Sequence, residues 1–95
     1  MKNILKLNLS KQSNRFLNSL SQKQFSQIDK KINQLKKDPL PNDNILLKGR
    51  KNSKFHRVTV GEYRIIYNFD EINLFIIIIE KRNDNEAYKN FFKKY

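Results

Sequence analysis

The stretch FHRVTVGEYRIIYNF, residues 55–69, decides how this chain folds. β-Branched and aromatic residues crowd both of its halves, and such residues fit a pleated, half-buried backbone. Gly61-Glu62 lies between the halves, and a glycine in first place suits a two-residue type II′ hairpin turn. That turn pairs Val60 with Tyr63, Thr59 with Arg64, Val58 with Ile65 and Arg57 with Ile66. Paired residues share a sheet face, and faces alternate along each strand. One face therefore carries His56, Val58, Val60, Tyr63, Ile65 and Tyr67, and is the expected core. The other carries Arg57, Thr59, Arg64, Ile66 and Asn68. Two arginines converge there from adjacent strands, and the expected face shows cations and no carboxylate. Guanidinium groups fork onto phosphates and stay charged at any working pH, so this is a candidate phosphate-binding face.

The rest of the chain builds outward from that hairpin. Asp70-Glu71 suits a further turn, and Ile72–Ile79 is apolar on both faces, as a central strand covered on both sides should be. Arg82 follows its end and is expected to join the arginines. Upstream, Ile4–Leu9 alternates well enough for a first strand. Ser10 can cap a short helix carrying Phe16, Leu17 and Leu20, and Ser21 with Gln24 matches a capping box. Phe25, Ile28, Ile32 and Leu35 then form one apolar stripe, which Asp38-Pro39 and Pro41 end. Residues 10–37 read as a helical hairpin with a basic outer face. Pro39–Lys54 reads as a connection in which Ile45–Gly49 anchors to the core. Asn83, with Glu86 three later, can cap a C-terminal helix carrying Tyr88, Phe91, Phe92 and Tyr95. The expected class is α+β, in the order β-α-α-β-β-β-α: an N-terminal strand and helical hairpin, then antiparallel strands and a C-terminal helix.

Composition bounds the chemistry. The 95 residues suffice for a single domain over 1–95. Lys and Arg number 20 against 9 Asp and Glu, a net charge of +11. Such an excess repels itself in the compact state and points to a polyanionic partner, nucleic acid first and an acidic protein second. AT-rich codon usage is a competing source of the lysines, because Asn and Ile are abundant too. There is no cysteine, which excludes disulfide scaffolds, thiolate nucleophiles and cysteine metal sites. A single histidine excludes multi-histidine metal centres, and no cofactor is expected. The longest apolar run is far short of the roughly 20 residues a membrane span needs. No apolar signal segment opens the chain, so a cytoplasmic location and no membrane partner are expected.

Residues 57–67, with Gly61-Glu62-Tyr63-Arg64-Ile65-Ile66-Tyr67, and residues 80–88, with Lys81-Arg82 followed by Glu86 and Tyr88, resemble the RelE/ParE superfamily of bacterial toxins. The second segment is closer to the RelE branch. The resemblance implies the toxin of a type II toxin–antitoxin pair, silenced by an acidic antitoxin protein. It implies an endoribonuclease that cuts mRNA in the ribosomal A site, with mRNA and the ribosomal RNA of the 70S ribosome as partners. The alternatives are a non-cleaving ParE-like toxin acting on DNA gyrase and a catalytically weakened antitoxin-binding homologue. By the same resemblance the catalytic positions are Arg57, Arg64, Arg82 and Tyr88. Where RelE-type enzymes place a second basic residue, this chain has Thr59.

The implied chemistry is attack of a ribose 2′-OH on the adjacent phosphorus with departure of the 5′-oxygen. It needs a base, stabilisation of the phosphorane charge, and an acid. Arginines suit stabilisation and not proton transfer. Tyr88 suits stacking on a base or donating a proton. Lys54, Lys81 and His56 are the candidates for the base and, with Thr59, for RNA contacts, although alternation places His56 on the core face.

Overall fold

The computed structural model describes residues 4–48, 54–82 and Lys89. Among them the order is β1 (Lys6–Leu9), α1 (Lys11–Asn18), α2 (Gln22–Lys37), β2 (Ile45–Lys48), β3 (Lys54–Val60), β4 (Tyr63–Phe69) and β5 (Asn73–Lys81). The C-terminal helix expected from Asn83, and Tyr88 with it, lies outside the described residues; Lys89 alone is described there, as helical and exposed.

Both helices begin where serine caps were expected. The Ser10 and Ser21 side chains accept from the backbone N–H groups of Ser13 and Gln24, and Gln24 returns the bond to Ser21. Each satisfies donors that the first helical turn leaves without partners. Ile28, Ile32 and Leu35 of α2 are buried as the stripe predicts. Phe25, at the head of that stripe in the first turn of α2, is instead 40% exposed.

One sheet holds all five described strands, in the order β1-β5-β4-β3-β2. β1 runs parallel to β5, and every other neighbour is antiparallel. The β3–β4 register is the expected one, from Val60↔Tyr63 to His56↔Tyr67. Gly61 takes φ +55 in the turn, a conformation that costs a side-chain-bearing residue dearly. β2 corrects the sequence reading. The connection in which Ile45–Gly49 was expected only to anchor contains a four-residue edge strand, Leu47 paired with Phe55 and Ile45 with Arg57.

Helices cover one face. Leu17, Ile28, Ile32 and Leu35 pack there on Val58, Tyr63, Ile65, Tyr67, Leu74, Ile76 and Ile79. Phe16 meets Tyr63 edge-on at 5.8 Å between ring centroids. The Tyr67 hydroxyl donates to the carbonyl of Pro39 at 2.7 Å, tying the end of α2's connection to β4. α1 reads β5 through its polar side chains. Gln12 Nε2 donates to the Ile79 carbonyl at 2.8 Å, its Oε1 accepts from the Ile79 N–H at 3.0 Å, and Ser10 Oγ donates to the Ile77 carbonyl at 2.6 Å.

Candidate active site

Strand alternation puts Arg57, Thr59, Arg64 and Ile66 on the sheet face away from the helices, as the hairpin register requires. The register across all four antiparallel strands sorts this face into rows. Ile45, Arg57, Ile66 and Ile78 form one row, and Thr59, Arg64 and Glu80 the next. Leu47, Phe55, Ile66 and Ile78 make a small apolar cluster, with Ile77 against it. The polar row lies beside the β3–β4 turn.

The expectation of a face without carboxylates is overturned. Glu80 stands directly opposite Arg64, and its Oε1 lies 3.1 Å from Arg64 Nη2. The pair is largely out of water, with 13% of the arginine side chain exposed and 3% of the glutamate's. The cause is an irregularity in β5. Ile66 pairs with Ile78 but Tyr67 pairs with Ile76, so Ile77 is an extra residue. Such a bulge reverses the facing of everything beyond it. Ile78 and Glu80 thereby join the arginine face, while Leu74 and Ile76 remain on the helix face.

The remaining predicted positions divide. Thr59 is exposed, opposite Arg64. Arg82 is exposed just past β5, and its N–H donates to the Glu62 carbonyl at 2.7 Å, which fixes its backbone against the turn. It lies two residues past Glu80, beside the β3–β4 turn. Lys54, His56 and Lys81 have the other parity and are not brought to the arginines. Lys54 lies at the start of β3 opposite Lys48, and Lys81 opposite Tyr63; both are exposed. The His56 ring packs on Tyr67 and Phe69, each at 5.5 Å between centroids, with Nδ1 3.2 Å from Asn44 Oδ1. Burial, with Lys54 adding to it, holds His56 below its ordinary value of 6.5. Among the described residues no cluster of three His, Asp or Glu side chains could hold a metal.

No family model matches the chain, and no curated protein matches its sequence. Solved structures do match. A chain of the archaeal RelE–RelB complex from Pyrococcus horikoshii OT3 aligns with TM-score 0.70 at 25% identity, over 84% of this chain and 97% of that one. This chain has a RelE-like toxin fold. The isolated E. coli RelE toxin aligns with TM-score 0.69 at 19% identity, over 95% of this chain and 97% of its own. A chain of the intact E. coli RelBE toxin–antitoxin complex gives 0.58 at 18% identity, over 84% and 99%.

Within this RelE-like sheet, the residue that sequence reasoning missed is Glu80. Its charge at the end of an apolar run was visible, but which face it took was not. Among the described residues no helix is long and apolar enough to cross a membrane.

Proposed function

We propose that this chain is the toxin of a toxin–antitoxin pair, and an endoribonuclease that cleaves mRNA in the ribosomal A site in the cytoplasm. The observation that carries the reading is the fold likeness over nearly the whole chain to RelE toxin structures, two of them complexes with an antitoxin. The net charge of +11 suits both an acidic antitoxin and RNA.

The 2′-oxygen attacks the adjacent phosphorus, the bond from phosphorus to the 5′-oxygen breaks, and a 2′,3′-cyclic phosphate and a 5′-hydroxyl result. A base takes the 2′-OH proton and an acid supplies one to the leaving oxygen. Arg57 and Arg82 stabilise the phosphorane charge; a single preorganised donor of this kind is worth about 2.7–4 kcal/mol. Within the described strands, Glu80 is the one carboxylate on the arginine face, and it is buried against Arg64. Proton transfer therefore falls to Tyr88 or to the ribosome that carries the substrate. Orientation of the RNA by the ribosome supplies much of the rate, since positioning alone can be worth roughly 7–11 kcal/mol.

The test is controlled induction of wild type and Arg82→Ala, followed by growth and primer extension on a reporter mRNA. Wild type should arrest growth with defined cuts, and Arg82→Ala should lower cleavage by about 10²–10³-fold. Growth arrest without any cut would replace this reading with the gyrase-directed one. A soluble, harmless wild type would leave an antitoxin-binding homologue without activity.

A further inference from the structure

We infer that Glu80 is a specificity-determining residue that serves Arg64 as an internal counter-ion, so that bound RNA is held by other cations of this face and not by Arg64. The inference rests on the RNA reading above and concerns how many phosphates that face can take.

The register carries it first. Glu80 is the direct cross-strand partner of Arg64, so the two Cβ atoms approach on the same face without any backbone adjustment. The distance carries it second, with Nη2 and Oε1 3.1 Å apart. A carboxylate offers a guanidinium the same oxygen geometry that a phosphate does, so Glu80 takes the place a phosphate oxygen would need. Burial decides the competition. An exposed ion pair opens readily to a rival anion, but this one is 13% and 3% exposed, and a phosphodiester would have to shed its own water to displace the glutamate. Arg82 differs on each count, being exposed and at the rim beyond the strand.

The consequence is a deliberate limit on charge. Glu80 removes one phosphate contact from a chain whose excess of lysine and arginine would otherwise bind any RNA. Sequence-independent grip is thereby weakened relative to binding that the full ribosomal substrate assists.

The experiment is binding of a short single-stranded RNA, read by fluorescence anisotropy over a series of salt concentrations, with circular dichroism to show that each variant is folded. Wild type, Glu80→Gln, the double variant Arg64→Met/Glu80→Met, and Arg82→Ala are compared. For single strands each phosphate contact contributes about 0.7 to the slope of log affinity against log salt. Glu80→Gln should steepen that slope by about 0.7 and tighten binding about tenfold at low salt, the worth of one charged contact. The double variant should keep the wild-type slope, while Arg82→Ala should lose about 0.7. A folded Glu80→Gln protein with wild-type slope overturns the inference. So does a double variant that loses a contact, because Arg64 would then already be holding phosphate. Should Glu80→Gln fail to fold, the double variant decides alone, since it removes both charges together. A wild type that binds RNA without salt dependence would sink the RNA reading and this inference with it, before any Glu80 variant is compared.

Discussion

The two faces of the sheet are made from alternate residues of the same strands, yet they are built on different rules. The helix-covered face is continuous and apolar, and it gathers Leu5 just ahead of β1 and residues from both helices and the three long strands. Among the described residues, the apolar cluster of the arginine face has four buried members, beside a row in which Thr59, Arg64 and Glu80 stand in line. Adjacent residues such as Ile65 and Ile66 are both 0% exposed but belong to different clusters. Burial alone therefore does not define the core. One face is held by contact among many apolar groups, and the other by a small apolar patch and a dehydrated ion pair.

The strongest way to break that distinction is to shorten each of the two isoleucines in turn. Ile65→Ala should cost about 4 kcal/mol and Ile66→Ala about 2 kcal/mol, the upper and lower parts of the range for such truncations. Urea denaturation reads both values, and equal costs would show that the two faces are equivalent cores.

The turn that sets their register gives the next test. Gly61→Ala should cost about 1–2 kcal/mol, because φ +55 is unfavourable for any residue with a Cβ. The added methyl would also meet the Gln27 amide, a flexible side-chain end that can move aside. The loss should weaken both faces together, so RNA binding and thermal midpoint should fall in parallel. Ser21→Ala touches only the helix side. It should lower stability by about 1 kcal/mol through the lost cap, with no change in the salt dependence of RNA binding.

The smallest effect sharpens the comparison at neighbouring residues, His56 on one face and Arg57 on the other. His56 titrates below 6.5 in the folded protein because burial, aided by Lys54, opposes its charge. The unfolded chain then binds more protons than the native one as pH falls past 6.5, so stability declines through that window and levels off below the folded value. Asp43 and Asp70 are shifted below 3.8, so their contributions are lost only in stronger acid. The thermal midpoint should drop modestly between about pH 7 and about pH 5, and His56→Phe should remove that slope.

Much of this was legible from residue order. The β3–β4 hairpin could be read to the residue, since alternating side chains and one glycine leave a single register. Serines ahead of apolar stripes located both helix starts. β2 was hidden because ILLK is too short to show alternation and gains its place only by pairing with β3. Glu80 was hidden for a different reason. Residues 76–79 are four consecutive isoleucines, and a bulge within identical residues leaves no trace in the pattern. The polarity that would have revealed the shifted facing appears only at Glu80, after the slip has occurred.

The parallel pairing of β1 with β5 has a consequence for how the chain is made. β1 leaves the ribosome well before its partners, Asn73 to Ile76, which follow 67 positions later. The contacts of Gln12 with Ile79 span 67 positions. At roughly 5–20 residues per second, the first strand waits about 3–13 seconds for a neighbour to exist. Closure of so long a loop also makes this pairing a late step in folding. A truncated translation product that stops before β5 would have the hairpin but no place to seat its opening strand. Completion of the sheet thus reports that the chain has been read through β5.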